Sequence, residues 1–209
     1  MFKIAIIIIC SLIFSCNTDK KDSSARKSKN NYDRERPRIK DSIANDYYSQ
    51  GLNAVKQDKL TDAENYFYKA DKIENNNPII VTARANIAYA LGDSSRGESL
   101  YLHAISIDSV YVLSYLNYAK HLRQEHQPER ANSILLKAIH FNPNDYDKGR
   151  IYHDLALLSI DLNSCDSAME YAKKARIFSP DQYLSFVQEI ESLLIPCNVF
   201  HQKLPLYKL

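Results

Sequence analysis

Apolar and polar positions divide the chain into four stretches. Residues 4–14 form an apolar run, with Ser11 its one hydroxyl residue, after a single early Lys3. As a helix such a run is about 16 Å long, too short for the roughly 30 Å hydrocarbon core of a bilayer, and it reads as the hydrophobic region of an export signal. Residues 17–41 are the opposite: Ile39 is the only aliphatic side chain larger than Ala among Lys, Arg, Asp, Asn and Ser. That composition cannot offset the entropy of ordering the chain, so it predicts a flexible spacer. From residue 42 apolar positions return at helical spacing, broken by short polar turns at Gln57-Asp58-Lys59, Gly92-Asp93-Ser94, His126-Gln127-Pro128 and Asn163-Ser164-Cys165. A last helix is predicted from Asp181 as N-cap through Tyr183, Phe186, Val187, Ile190, Leu193 and Leu194, stopping at Pro196. The tail from Cys197 to Leu209 shows no period.

The helical stretch repeats itself. Small residues stand at Ala63, Gly97, Ala131 and Ala168, and seven residues later at Ala70, Ala104, Ala138 and Ala175; both series are spaced 34, 34 and 37. Small side chains at fixed points let two helices approach closely, while aromatic and Leu residues a turn away fill the space between pairs. With that period the chain resembles the tetratricopeptide repeat (TPR), a 34-residue helix-turn-helix unit. The third unit matches through Tyr115, Tyr118, Ala119, Ala131, Leu135, Ala138 and Pro143, and the fourth through Tyr152, Leu155, Ala156, Ala168, Ala175 and Pro180. The first uses Tyr47, Gly51, Ala63, Phe67 and Ala70, and the second Ala85, Gly97, Tyr101 and Ala104. The second departs from the pattern at Val81 and Arg84, and the first two end in Asn75 and Ser109 instead of Pro. The three extra residues of the fourth unit are expected in a loop around Asp145 to Asp147. The resemblance implies an all-α, TPR-like α-solenoid of about four repeats over residues 42–180. The helix from Asp181 would cap the last exposed face, within a segment 181–209.

The N-terminal run ends in Ile13-Phe14-Ser15-Cys16, which resembles the lipobox of bacterial lipoproteins. That resemblance implies a signal peptide over residues 1–15, cleavage after Ser15, acyl chains on Cys16, and a basic tether over residues 16–41. The residues alone also fit an ordinary cleaved signal or an uncleaved anchor. It further implies a bacterial envelope location, the outer membrane being favoured because Asn17 is not an Asp. The net charge of +2 conceals an imbalance: the spacer carries +4 and residues 42–209 carry −3. The spacer could lie against anionic headgroups, but its interspersed acids favour a solvated linker. Nothing in this balance calls for nucleic acid.

Gly and Pro together make up only 11 residues, about 5% against a usual share near 12%, which disfavours turn-rich β folds and Gly-lined phosphate loops. No zinc spacing, Walker-type loop or nucleophile elbow is present. His121 and Glu125 share a helix face, but a solvated pair is the simpler reading. No catalytic residue, metal or cofactor is therefore assigned, and neither an enzyme nor a small-molecule substrate is expected. In the repeat geometry the cap helix folds back beside the start of the fourth unit's second helix, which predicts a disulfide between Cys165 and Cys197. Two buried thiols are the alternative.

TPR proteins bind extended peptides on the face lined by the first helix of each repeat. The register puts Tyr48 and Leu52, Thr82, Asn86 and Tyr89, Leu116, Asn117, Lys120 and Arg123, and Arg150, His153 and Leu157 on that face. Asn86, Asn117 and Arg150 coincide with positions used by family members that grip a C-terminal carboxylate, whereas Thr82 and Asp154 replace other members of that clamp. The expected role is an envelope adaptor held to a membrane through lipid and binding a protein segment, which would assist assembly of an outer-membrane or secretion complex. A self-associating structural component is the alternative.

Overall fold

A computed structural model describes residues 37–178, which form eight α-helices and, among the described residues, no strand. They are α1 (Ser42–Lys56), α2 (Leu60–Ile73), α3 (Pro78–Ala90), α4 (Ser94–Ile107), α5 (Val112–Gln124), α6 (Pro128–His140), α7 (Asp145–Asp161) and α8 (Cys165–Phe178). The export signal, Cys16, the cap helix from Asp181 and Cys197 lie outside the described residues.

The helices pack in consecutive pairs, α1 on α2 through α7 on α8. Each pair closes with the same turn. Asp58, Gly92, His126 and Asn163 take positive φ angles of 57°, 84°, 58° and 54°, at the 34, 34 and 37 spacing of the small residues. The amides of Lys59, Asp93, Gln127 and Ser164 then donate back to the carbonyls of Ala54, Ala88, Leu122 and Ser159 at 2.7–2.9 Å. This is the Schellman arrangement, which satisfies helix-end carbonyls through a left-handed residue. Only one of the four turns uses Gly. A non-Gly residue in this region costs roughly 1–2 kcal/mol, and the extra freedom of Gly in the unfolded chain returns about half of it. The exposed His126 makes the clearest test: His126→Gly is expected to stabilise the fold by about 0.5–1 kcal/mol, read as a higher urea midpoint.

Both series of small residues are buried throughout. The second repeat forms despite its departures. Val81 is buried, and Arg84 ion-pairs with Asp71 while its guanidinium lies 5.4 Å from the centroid of the Tyr68 ring. One expectation is corrected: the extra residues of the fourth unit are not a loop. Asn144 caps the amide of Asp147, and α7 runs for 17 residues against 13 for α5, so the insertion is absorbed as an added helical turn.

Residues 38–41 of the predicted spacer are also held in place. The amides of Lys40 and Asp41 donate to Glu74 Oε2 at 2.7 and 2.8 Å, and Asn77 Nδ2 donates to the Arg38 carbonyl and to Glu74 Oε1. Asp41 caps α1 by accepting from the amides of Ile43 and Ala44. Burial raises the pKa of the Glu74 carboxyl, but the donors from Asp41, Asn77 and Lys40 outweigh it and keep the group below its ordinary value.

Successive first helices touch, α3 on α5 and α5 on α7, and form an inner layer. The second helices lie outside, linked by ion pairs that repeat at the same interval: Glu64 with Arg96, and Glu98 with Arg130.

Candidate functional site

A cleft of about 310 Å³ opens between α5 and α7, at the joint of the third and fourth repeats. Its floor is apolar, formed by Leu116, Leu135, Leu157 and Leu158, and its rim carries Asn117, Lys120, Arg123, Arg150 and Asp154. Four of the residues expected on the binding face, Asn117, Lys120, Arg123 and Arg150, are thus brought together. Their environments differ. Arg123 reaches across to α7, donating from Nη2 to Asp161 Oδ1 at 3.1 Å and from Nε to Oδ2. Arg150 stands 4.0 Å from Asp147 and 5.8 Å from the Tyr146 ring centroid. Lys120 is exposed and has no ion-pair partner among the described residues. An approaching anion or carbonyl would meet Lys120 first, while the two Arg groups stay oriented by their carboxylates.

Outside the cleft, four of the six remaining expected face residues are committed to packing or to local pairs. Tyr48 leans on Phe67, ring centroids 5.4 Å apart. Asn86 accepts a hydrogen bond from the hydroxyl of Tyr101, a fully buried residue on α4. Tyr89 stacks on His121 at 4.3 Å with an interplanar angle of 8°. Burial, and then Glu125 and Glu98, push its hydroxyl up to about 12. His121 is shifted the other way, by burial and by neighbouring Lys120, so its ring is held neutral in the stack. His153 is buried with Nδ1 3.0 Å from Asp154 Oδ1.

Tyr111 escaped the sequence reading. It is the N-cap of α5, and its hydroxyl is shifted upward by burial first and then by the charge of Tyr48, against the pull of Arg150. It therefore stands within electrostatic reach of both α1 and α7. A register that assigns only the first helix of each repeat passes over it, because it precedes the helix. Among the described residues no group of three or more His, Cys, Asp or Glu is placed to hold a metal ion, and no helix is long and apolar enough to cross a membrane.

Four equivalent turns, two buried series of small residues and a layered helix order define an all-α TPR-like helical-repeat solenoid. Among solved structures the chain is similar to PilF of Pseudomonas aeruginosa, with 22% identity, a TM-score of 0.65, and cover of 75% of this chain and 69% of that one. It is also similar to PilW, a widely conserved type IV pilus biogenesis factor, with 15% identity, a TM-score of 0.64, and cover of 76% and 71%. MamA of Desulfovibrio magneticus RS-1 follows at 16% identity, a TM-score of 0.58, and cover of 76% and 87%. No protein-family model and no curated protein matches the sequence.

Proposed function

We propose that this chain is a lipid-anchored adaptor of the bacterial envelope whose α5–α7 cleft binds an extended segment of a protein partner and assists assembly of an envelope complex. The observation that carries the reading is the cleft itself: an apolar floor ringed by Asn117, Lys120 and Arg150. Leu116 and Leu157 offer a seat for an apolar side chain of the segment. Asn117 can donate to and accept from its backbone, and Lys120 can meet a carbonyl or carboxylate. The fold shared with PilW, described as a type IV pilus biogenesis factor, supports the assembly role by analogy.

The membrane part of the reading rests on the lipobox-like residues Ile13 to Cys16. A spacer of some 20 residues has an r.m.s. reach of about 25 Å, so the anchor would confine the body near the membrane and raise the effective concentration of a co-anchored partner toward the millimolar range. Asn17 favours the outer membrane.

The test is in-cell photocrosslinking from position 116 of the full chain, with and without Asn117→Ala, Lys120→Ala and Arg150→Ala combined. The triple variant is expected to lose capture by about tenfold or more, with helix content and melting temperature unchanged. Undiminished capture removes the cleft from consideration. Cys16→Ala is expected to release the chain from the membrane fraction at high salt, where electrostatic contacts with lipid are screened; its retention there would contradict the anchor.

A further inference from the structure

The outer layer carries a second pattern at the repeat interval, on the side away from the cleft. Tyr68, Leu102 and Leu136 occupy the same place in α2, α4 and α6, 34 residues apart, and are 44%, 48% and 43% exposed. Three large apolar groups left in solvent at equivalent positions form a row, not the scattered exposure normal for a protein surface. The next position along the chain in each helix is basic or can become so: Lys69, His103, Lys137 and, in α8, Lys174. Lys72 follows one turn after Tyr68, and Lys173 takes the place of the apolar residue in α8.

The carboxylates of this layer are distributed unequally. Glu64 and Glu98 belong to the first halves of α2 and α4 and are used in the pairs with Arg96 and Arg130. The last eight residues of α2, α4, α6 and α8 contain one carboxylate, Asp71, and it is paired with Arg84. The same stretches hold six Lys or Arg residues; Lys174 is paired with Glu170 just before the stretch in α8, and the exposed ammonium groups are those of Lys69, Lys72, Lys137 and Lys173. Lys69 and Lys72 lie over tyrosine rings, Lys72 5.2 Å from the Tyr68 centroid, an arrangement that keeps ammonium and aromatic surface side by side. One end of the outer layer therefore holds most of its carboxylates, Glu64 and Glu98 among them in ion pairs, and the other presents cations alternating with single apolar side chains.

We propose that this end of the outer layer is a docking face for an anionic phospholipid surface. Long cationic stems, a Tyr and isolated Leu side chains, at intervals of one repeat, suit a fluid boundary where headgroups meet ammonium groups and acyl chains take up the apolar tips. The occupant is lipid by charge complementarity: within these helix ends the one carboxylate is paired, while Lys69, Lys72, Lys137 and Lys173 are exposed. The inner face would then be turned from the membrane toward a partner. The inference rests on the preceding reading only in that the chain meets a membrane, and not on the cleft.

The test uses the full chain with vesicles of phosphatidylcholine alone or mixed with phosphatidylglycerol, and measures amine acetylation at each lysine by mass spectrometry. Acetylation of Lys69, Lys137 and Lys173 is expected to slow severalfold on the anionic vesicles and to recover at high salt. Lys120, in the cleft, is expected to react at the same rate on both. Equal rates on the two lipids, or failure of the chain to float with either, overturns the proposal. So does protection that appears only when membrane proteins are added, which would assign the face to a protein. Loss of partner capture in the cleft variant with this protection intact would leave the two readings separately judged.

Discussion

Tyr101→Ala is expected to lower folding stability by about 3–5 kcal/mol, the range for deleting a buried aromatic ring. Tyr101 is fully buried and lies where the second repeat meets the third. Its ring centroid is 5.4 Å from that of Tyr118 and 5.8 Å from that of Tyr89, so one side chain bridges α3, α4 and α5. In a solenoid each repeat touches only its neighbours, and a cavity at one interface weakens the coupling of everything on either side. Against a total of about 5–15 kcal/mol this is a large fraction, and partial unfolding before the main transition is expected. Tyr101→Phe separates the two contributions: it keeps the ring and removes the donor to Asn86, at an expected cost of about 1–2 kcal/mol. Urea unfolding followed by circular dichroism measures both. A Tyr101→Ala loss below about 1 kcal/mol would show that the neighbouring rings collapse into the space.

The repeat architecture was legible because it depends on close approach, and close approach leaves a trace in composition. Ala63, Gly97, Ala131 and Ala168 must be small wherever helix pairs meet, so their period survives almost any change elsewhere. The turns were legible for a related reason, since Asp58, Gly92 and Asn163 are residues that tolerate or favour the left-handed region; at His126 the turn is marked by its place in the period and by Pro128 at the start of the next helix. The extra turn of α7 was hidden because Asp145 to Asp147 read as turn chemistry. The same residues serve equally well in the first turn of a helix, where the N-terminal dipole favours acids.

The cleft was legible only in part. Knowing which helix lines the inner layer identifies Asn117, Lys120, Arg123 and Arg150, but not which face residues are drawn into the packing. Asn86 turns to Tyr101 because a buried aromatic with a polar tip seeks a partner, Tyr89 stacks its ring on His121, and those partners come from α4 and α5, helices that the register of α3 does not mention. Tyr111 and Asp161 lay outside the face reading altogether. The outer row of Tyr68, Leu102 and Leu136 had the same 34-residue period as the small residues, yet its exposure becomes visible only when the second helices are seen on the outside.

Two glycines hold the close contacts that Ala cannot make, and they yield the second large effect. A Cβ built on Gly51 would lie 2.5 Å from Phe67 Cε1 and 2.7 Å from Cδ1. Phe67 is buried and wedged against Tyr48, so its ring has nowhere to move. Overpacking of this kind costs typically 1–3 kcal/mol, reduced by the roughly 1 kcal/mol that Ala gains over Gly inside a helix. Gly51→Ala is therefore expected to destabilise the first repeat by up to about 2 kcal/mol. At Gly97 the obstacle is different: the Cβ would lie 2.3 Å from Tyr89 Cδ2, but Tyr89 is only half-buried and can swing outward. Gly97→Ala should then cost less stability and instead break the stack of Tyr89 on His121. The His121 pKa, depressed by burial and Lys120 in the native stack, should move back up toward its ordinary value, a change that NMR titration reads directly. If Gly97→Ala leaves the His121 titration where it was while Gly51→Ala proves neutral, the small-residue contacts do not set the spacing between helices, and the packing account given for both repeats is wrong.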